Sequence, residues 1–156
     1  MEFQDKSLSR KIIHQLKYSS RENVGKSLAD WTIERINFND YHFDLIISVP
    51  LHSKKERERG YNQLHLYANI LAKHLKIEHH CKDVIRKFYK KSQTFKTKKG
   101  RGDIENNFEL NANLIGKHVL IIDDVYTTGN TMSQVAWEIL KEPTNKVSVL
   151  VMAVDV

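Results

Sequence analysis

Residues 118–132 read HVLIIDDVYTTGNTM, and this order limits the possible folds more than any other stretch of the chain. His118 to Ile122 is an apolar run of strand length, as expected of a strand buried on both faces. Two adjacent carboxylates, Asp123 and Asp124, follow it, then a Thr/Gly-rich turn, and apolar spacing then predicts a helix from Gly129 to Leu140. In open parallel sheets ligands bind beyond the carboxyl ends of the strands, so this order carries two acids to the edge where a site forms.

The rest of the chain supplies more of the same units. Apolar residues at Leu8, Ile12, Ile13 and Leu16, then at Val24, Leu28, Trp31, Ile33 and Ile36, recur at spacings of three and four, predicting two amphipathic helices. Asp44 to Val49 is a short buried strand closed by Pro50, which cannot donate to a ladder. A helix is expected from Asn62 to Leu75, with Asn62 as N-cap. Val84 to Tyr89 reads as a strand, and Val147 to Val154 as another after the break at Pro143. Strands alternating with amphipathic helices imply an α/β fold with a mainly parallel sheet flanked by helices. The polar stretch between Lys90 and Asn107 is long for a plain connection and reads as a functional or mobile loop.

The chemistry of 123–131 is specific. Ribose hydroxyls donate to carboxylates, and a divalent cation bridging a diol and a pyrophosphate offsets the repulsion between neighbouring acids. Thr127, Thr128, Gly129, Asn130 and Thr131 then offer hydroxyls and backbone N–H groups at a helix start, where a phosphate is favoured. Gly129 permits a tight turn with no Cβ in the way. Acid, acid, then phosphate cradle fits one ligand with a ribose diol beside a 5′-phosphate. Gly25-Lys26-Ser27 imitates the end of a Walker loop, but Ser20 stands where that motif needs glycine and no buried strand precedes it.

At these residues the chain resembles a known family. VLIIDDVYTTGNT is similar to the motif with which type I phosphoribosyltransferases bind 5-phosphoribosyl-1-pyrophosphate (PRPP). VPLHSKKERERGYNQ (49–63), KYSSRENVGKSLADW (17–31) and Ser92-Gln93-Thr94 resemble stretches of the ComF (ComFC) competence-protein family. The resemblance implies that Asp123 and Asp124 hold the ribose hydroxyls, that Val125, Tyr126, Thr127, Thr128, Gly129, Asn130 and Thr131 surround the 5′-phosphate, and that Leu51, His52, Ser53 and Lys54 form the pyrophosphate loop. Arg59, Tyr61, Asn62 and Gln63 would lie beside an acceptor nucleobase. Lys90 to Arg101, with Gln93 and Arg101, would be a mobile lid over the ligand. Mg²⁺ would arrive with PRPP near Asp123 and Asp124 rather than in a protein cage. Relatives commonly follow the lid with Arg-x-x-Asn, where this chain has Gly100-Arg101-Gly102-Asp103. They also carry an N-terminal four-cysteine zinc module, whereas Cys81 is the one cysteine here, so one domain over 1–156 is expected, without that module.

Two functions fit. One is Mg²⁺-dependent phosphoribosyl transfer to an acceptor nitrogen with release of pyrophosphate, with no catalytic residue named. The other is a non-catalytic module for PRPP and single-stranded DNA, acting with competence proteins in DNA uptake. Lys82 to Arg101 carries nine Lys or Arg against Asp83 alone, interleaved with Phe88, Tyr89 and Phe95 as stacking platforms. The net charge of +6 suits either anion. A lone cysteine, no signal-peptide pattern and no apolar run near the roughly 20 residues of a membrane span predict a soluble cytoplasmic protein. His79-His80-Cys81 is rejected as a zinc site, since three consecutive residues cannot converge on one ion from regular structure. Cys81 is expected as a buried or half-buried thiol, and Trp31 and Trp137 as core. His52 is either a phosphate donor or an ordinary loop histidine. Tyr126 either packs over the ligand or anchors the turn.

Overall fold

A computed structural model describes residues 2–3, 11–15, 22–51, 56–57, 62–87 and 106–155. Strands β1 (Glu2–Phe3), β2 (Leu45–Ser48), β3 (Glu78–His80), β6 (His118–Tyr126) and β7 (Lys146–Asp155) form one sheet in the order β1-β7-β6-β2-β3. All four neighbouring pairs are parallel. Strands β4 (Val84–Arg86) and β5 (Phe108–Leu110) pair antiparallel in a separate ribbon. Helices α1 (residues 11–15), α2 (Glu22–Arg35), α3 (Gln63–Leu75) and α4 (Asn130–Leu140) flank these strands, and a 3-10 turn spans Phe38–Asp40.

The expected α/β architecture is present, and its topology positions the site. From β2 the chain passes through α3 to β3, one step toward one edge; from β6 it passes through α4 to β7, one step toward the other. Right-handed crossovers, the near-universal hand, therefore carry α3 and α4 to opposite faces of the sheet. This buries the central strands on both sides, which is why β2 and residues 119–122 of β6 read as continuous apolar runs. Ile46, Ile47, Ile121 and Ile122 are fully buried, each contributing roughly 1.5–3 kcal/mol relative to an exposed side chain. Helix α2 packs on α3, joined by the Tyr67 hydroxyl at 2.9 Å from Thr32 Oγ1. Thr32 gives its own proton to Leu28 O at 2.7 Å, so Tyr67 is the donor.

Several expectations need correction. Strand β6 continues through Tyr126, so Asp123 and Asp124 lie within it rather than after it. The strand expected at 84–89 is a short edge of the antiparallel ribbon, and its residues 88–89 fall outside the described set. Strands β1, β3 and β5 have two or three residues each, too few for a periodic signal. Trp31 and Trp137 are not core: they are 41% and 68% exposed. The buried face of α4 is Met132, Gln134, Val135, Glu138 and Ile139; Trp137, about 200° round the helix from Val135, points away. Trp31 is instead covered by the Arg35 guanidinium, 5.4 Å from its ring centroid. Cys81 is exposed, in the turn between β3 and β4. No helix among the described residues is long and apolar enough to cross a membrane.

Asn62 is the N-cap of α3, one of the two readings the sequence offered for it. Its Oδ1 accepts from Leu64 N at 3.0 Å, and its Nδ2 donates to Val49 O at 3.3 Å, tying the helix start to the chain leaving β2. The side chain is 3% exposed. Asn62→Ala is expected to cost about 1–2 kcal/mol in urea unfolding, the loss typical of a good N-cap. Asn62→Asp, which keeps the cap but cannot donate to Val49, should fall between it and the parent.

Candidate functional site

Strands β2 and β6 lie side by side at the centre of the sheet, and their crossovers diverge, so a crevice opens between their carboxyl ends. The register places the two site segments there. Strand β2 ends at Ser48, opposite Ile122, and Val49 N donates to Ile122 O at 2.9 Å. Beyond that bond the chain after β2 turns away through Pro50 and half-buried Leu51, while β6 runs on, paired with β7 alone. Asp123 and Asp124 are the first residues of that overhang. Asp124 is buried and Asp123 half-buried, and Asp123 Oδ1 accepts from Asp124 N at 2.8 Å. Strand alternation sends adjacent side chains to opposite faces, and this bond bends the Asp123 carboxylate along the strand toward the backbone N–H of Asp124.

The overhang feeds the start of α4 through a left-handed turn. Gly129 is the N-cap of α4, with φ of 73°. A Cβ there would fall 2.5 Å from the Tyr126 hydroxyl and 2.8 Å from its ring. Tyr126 thus folds over the turn as its anchor, with 40% of its surface exposed. Glycine has no side chain to cap the helix, and the first internal bond recorded at this end is Ser133 N to Gly129 O at 2.8 Å. The first-turn N–H groups, with Thr127, Thr128 and Asn130 exposed beside them, form an end suited to an anion. Val125 and Thr131 are half-buried.

The structure therefore places Leu51 just past the end of β2, ties Asn62 to Val49 at that end, and sets Asp123 to Thr131 along the overhang of β6 and into the start of α4. Gln63 begins α3. His52, Ser53, Lys54, Arg59, Tyr61, Gln93 and Arg101 lie outside the described residues, as does the stretch 90–101 expected to form a lid. Among the described residues no three His, Cys, Asp or Glu side chains converge as metal ligands.

One polar cluster beneath the crevice escaped the sequence reading. His79 of β3 has Nδ1 at 2.7 Å from Asn69 Oδ1 on α3, and Nε2 at 2.9 Å from Ser48 Oγ at the end of β2. Asn69 Oδ1 only accepts, so Nδ1 carries the proton. In a neutral ring Nε2 is then the acceptor for the Ser48 hydroxyl. Burial, reinforced by His65 and His80 nearby, pushes the His79 pKa down to about 4. The order serine, histidine, amide imitates a hydrolase triad, but Ser48 is 2% exposed and its oxygen is sealed from any substrate. The cluster instead fixes the end of β2, where the loop from Val49 departs. His80 differs: burial disfavours its charge, yet bonds to Asp83 at 2.5 Å and Glu78 at 3.0 Å outweigh that and raise its pKa.

Two outcomes follow for the chain alone. Gly129→Ala forces a left-handed residue with a Cβ and should cost about 1–2 kcal/mol of stability; adding Tyr126→Ala should restore only the part due to the ring. For His79, the unfolded chain takes up a proton near the ordinary 6.5 while the folded chain does not until about 4. Stability is therefore lost as pH falls through that interval. His80, with its pKa raised, acts in the opposite sense, so the test is a difference: His79→Gln, which can still bridge Ser48 and Asn69, should gain on the parent in urea midpoint as pH falls from 6.5 to 4. A constant difference across that range would contradict the neutral assignment.

Comparison with known proteins agrees with this geometry. The phosphoribosyl transferase domain family matches residues 66–153. The chain is 31% identical over 136 residues to the DNA utilization protein YhgH of Escherichia coli (strain K12), covering 83% of this chain and 60% of that protein. It is 35% identical over 111 residues to the competence protein ComFC of Bacillus subtilis (strain 168), covering 70% of this chain and 43% of that one. The chain thus spans about 60% of the length of the YhgH relatives. Among solved structures, adenine phosphoribosyltransferase from Thermoanaerobacter pseudethanolicus superposes with a TM-score of 0.53 at 17% identity, covering 85% of this chain and 69% of that one. Purine phosphoribosyltransferase from Pyrococcus horikoshii gives 0.53 at 22%, covering 83% and 72%. These likenesses carry the fold. With a sheet whose switch point holds the paired acids and the glycine turn, and with more than half its length matched, the chain belongs to the phosphoribosyl transferase domain family.

Proposed function

We propose that the crevice between β2 and β6 binds PRPP and that the chain transfers its phosphoribosyl group to an acceptor nitrogen. The single observation that carries this reading is the register at the switch point, which sets Asp123 and Asp124 directly beside the departure of the loop at Val49. Ribose hydroxyls would donate to the two carboxylates, and the 5′-phosphate would sit on the first turn of α4 among Thr127 to Thr131. The pyrophosphate would lie over residues 51–54.

In the reaction the bond from the ribose anomeric carbon to pyrophosphate breaks, the electron pair leaves with pyrophosphate, and the acceptor nitrogen bonds to that carbon and loses its proton. The protein's part is to hold both partners in line and to place negative charge beside a carbon that becomes electron-deficient. The donor set suits Mg²⁺ as PRPP carries it. The carboxylates of Asp123 and Asp124 are hard oxygen donors and would hold such a cation alongside phosphate and water oxygens. Bound there, it would supply positive charge to offset that of the departing pyrophosphate.

Calorimetric titration of PRPP with and without Mg²⁺ tests the reading. Saturable, Mg²⁺-dependent binding is expected, weakened about tenfold or more by Asp124→Asn, the effect of losing charge-assisted hydrogen bonds. Unchanged affinity in that variant would sink the assignment.

The names of the relatives, for DNA utilization and for competence, favour a second reading in which the domain binds PRPP without turnover and its basic stretch holds single-stranded DNA. On this reading, affinity for an oligonucleotide falls steeply with salt. Replacing Lys96, Lys98 and Lys99 together by alanine should reduce the log–log salt slope by about 2, three phosphate contacts at roughly 0.7 each. An unaltered slope removes the main support for that role.

A further inference from the structure

Helix α4 carries a buried amide that neither the paired acids nor the glycine turn accounts for. Gln134 is 9% exposed and uses both ends of its side chain. Its Oε1 accepts from Asn107 N at 3.0 Å and from Asn107 Nδ2 at 3.2 Å. Its Nε2 donates to Asn130 Oδ1 at 3.0 Å, one turn earlier on the same helix. A second strap lies one turn further on, where Asn106 Nδ2 reaches Glu138 Oε1 at 2.6 Å and Gln134 O at 3.0 Å. Lys141 Nζ, 2.7 Å from both Glu138 oxygens, offsets the charge of that buried carboxylate.

The direction of the first chain of bonds is dictated by its backbone member. Asn107 N–H can only donate, so the oxygen of Gln134 must face it and the nitrogen must face Asn130. Asn130 must then turn its own oxygen to Gln134. Asn130 is exposed at the first turn of α4, and with Oδ1 engaged, its Nδ2 group is the end it offers to a ligand. An unrestrained asparagine presents oxygen or nitrogen with little preference, and only the nitrogen attracts an anion.

We propose that Gln134 is a positioning residue for ligand phosphate: anchored by Asn107, it holds Asn130 with its amide nitrogen turned to the anion. This rests on the PRPP reading of the crevice and adds to it a residue outside the binding turn. It also joins the first turn of α4 to the residues just before β5.

The test is a double-mutant cycle on the full chain, read as calorimetric affinity for PRPP with Mg²⁺. Gln134→Met preserves volume and helix preference but breaks both links, and should weaken binding about five- to tenfold, the worth of roughly one hydrogen bond. In an Asn130→Ala background the same change should have no further effect, because its route to the ligand is gone. Gln134→Glu keeps both acceptor bonds to Asn107 and forces Asn130 to turn its nitrogen inward. It should weaken PRPP more than the methionine variant does, and it carries the test should that variant fail to fold by circular dichroism. An equal loss in both backgrounds, or no loss from either substitution, overturns the positioning role and leaves the PRPP reading standing. Absence of PRPP binding by the parent protein overturns both.

Discussion

The pairing of β2 with β6 is the contact on which the rest of the molecule depends. Each strand begins a crossover, and the two crossovers leave in opposite directions. Helices therefore cover both faces, and the pair between them is sealed from water on both sides. The same divergence parts the two crossovers at the carboxyl ends of the pair, where open sheets of this kind form a ligand crevice. Burial below and a switch point above are one topological fact. The nine-residue length of β6 against the four of β2 then decides which side chains stand at the rim.

Around that pair, polar side chains do work that apolar packing cannot. Asn62 joins the start of α3 to Val49, and His79 joins Ser48 to Asn69. Both hold the end of β2 and so the origin of the loop that leaves it. Each uses donor and acceptor together, and an amide or a neutral imidazole is suited to that because it offers one of each. Burial favours the neutral ring, and the neutral ring supplies the acceptor that Ser48 needs, so the solvation and hydrogen-bond requirements of His79 agree. Asn145 plays a similar part at the opposite end of the sheet, donating to Leu114 O and Ile139 O while accepting from Lys117 N.

The sequence was most legible where a long element carries one unmixed signal. The apolar run at 119–122, the cap at Asn62 and the glycine at the start of α4 need only local rules, and each stands where those rules put it, whereas Asp123 and Asp124 lie inside β6 rather than beyond its end. Helix burial was less legible. Trp31 and Trp137 read as core because size and apolarity count toward burial, yet which helical face turns inward is set by the partner element. The i, i+4 spacing of Asn130 and Gln134 was visible in the chain. Its importance was not, because it depends on Asn107, 27 residues away, meeting the same amide.

Sequence alone determined the kind of unit this chain builds and the strand end that carries the paired acids and the glycine turn, because apolar runs, a glycine and adjacent carboxylates act through local backbone and solvation preferences. Tertiary structure alone decided the partners: β3 beside β2 rather than in the ribbon with β4, His79 under Ser48, Gln134 between Asn107 and Asn130. Hydrogen bonds between distant residues leave no periodic trace in a sequence, since their donors and acceptors meet only after the sheet has set its register.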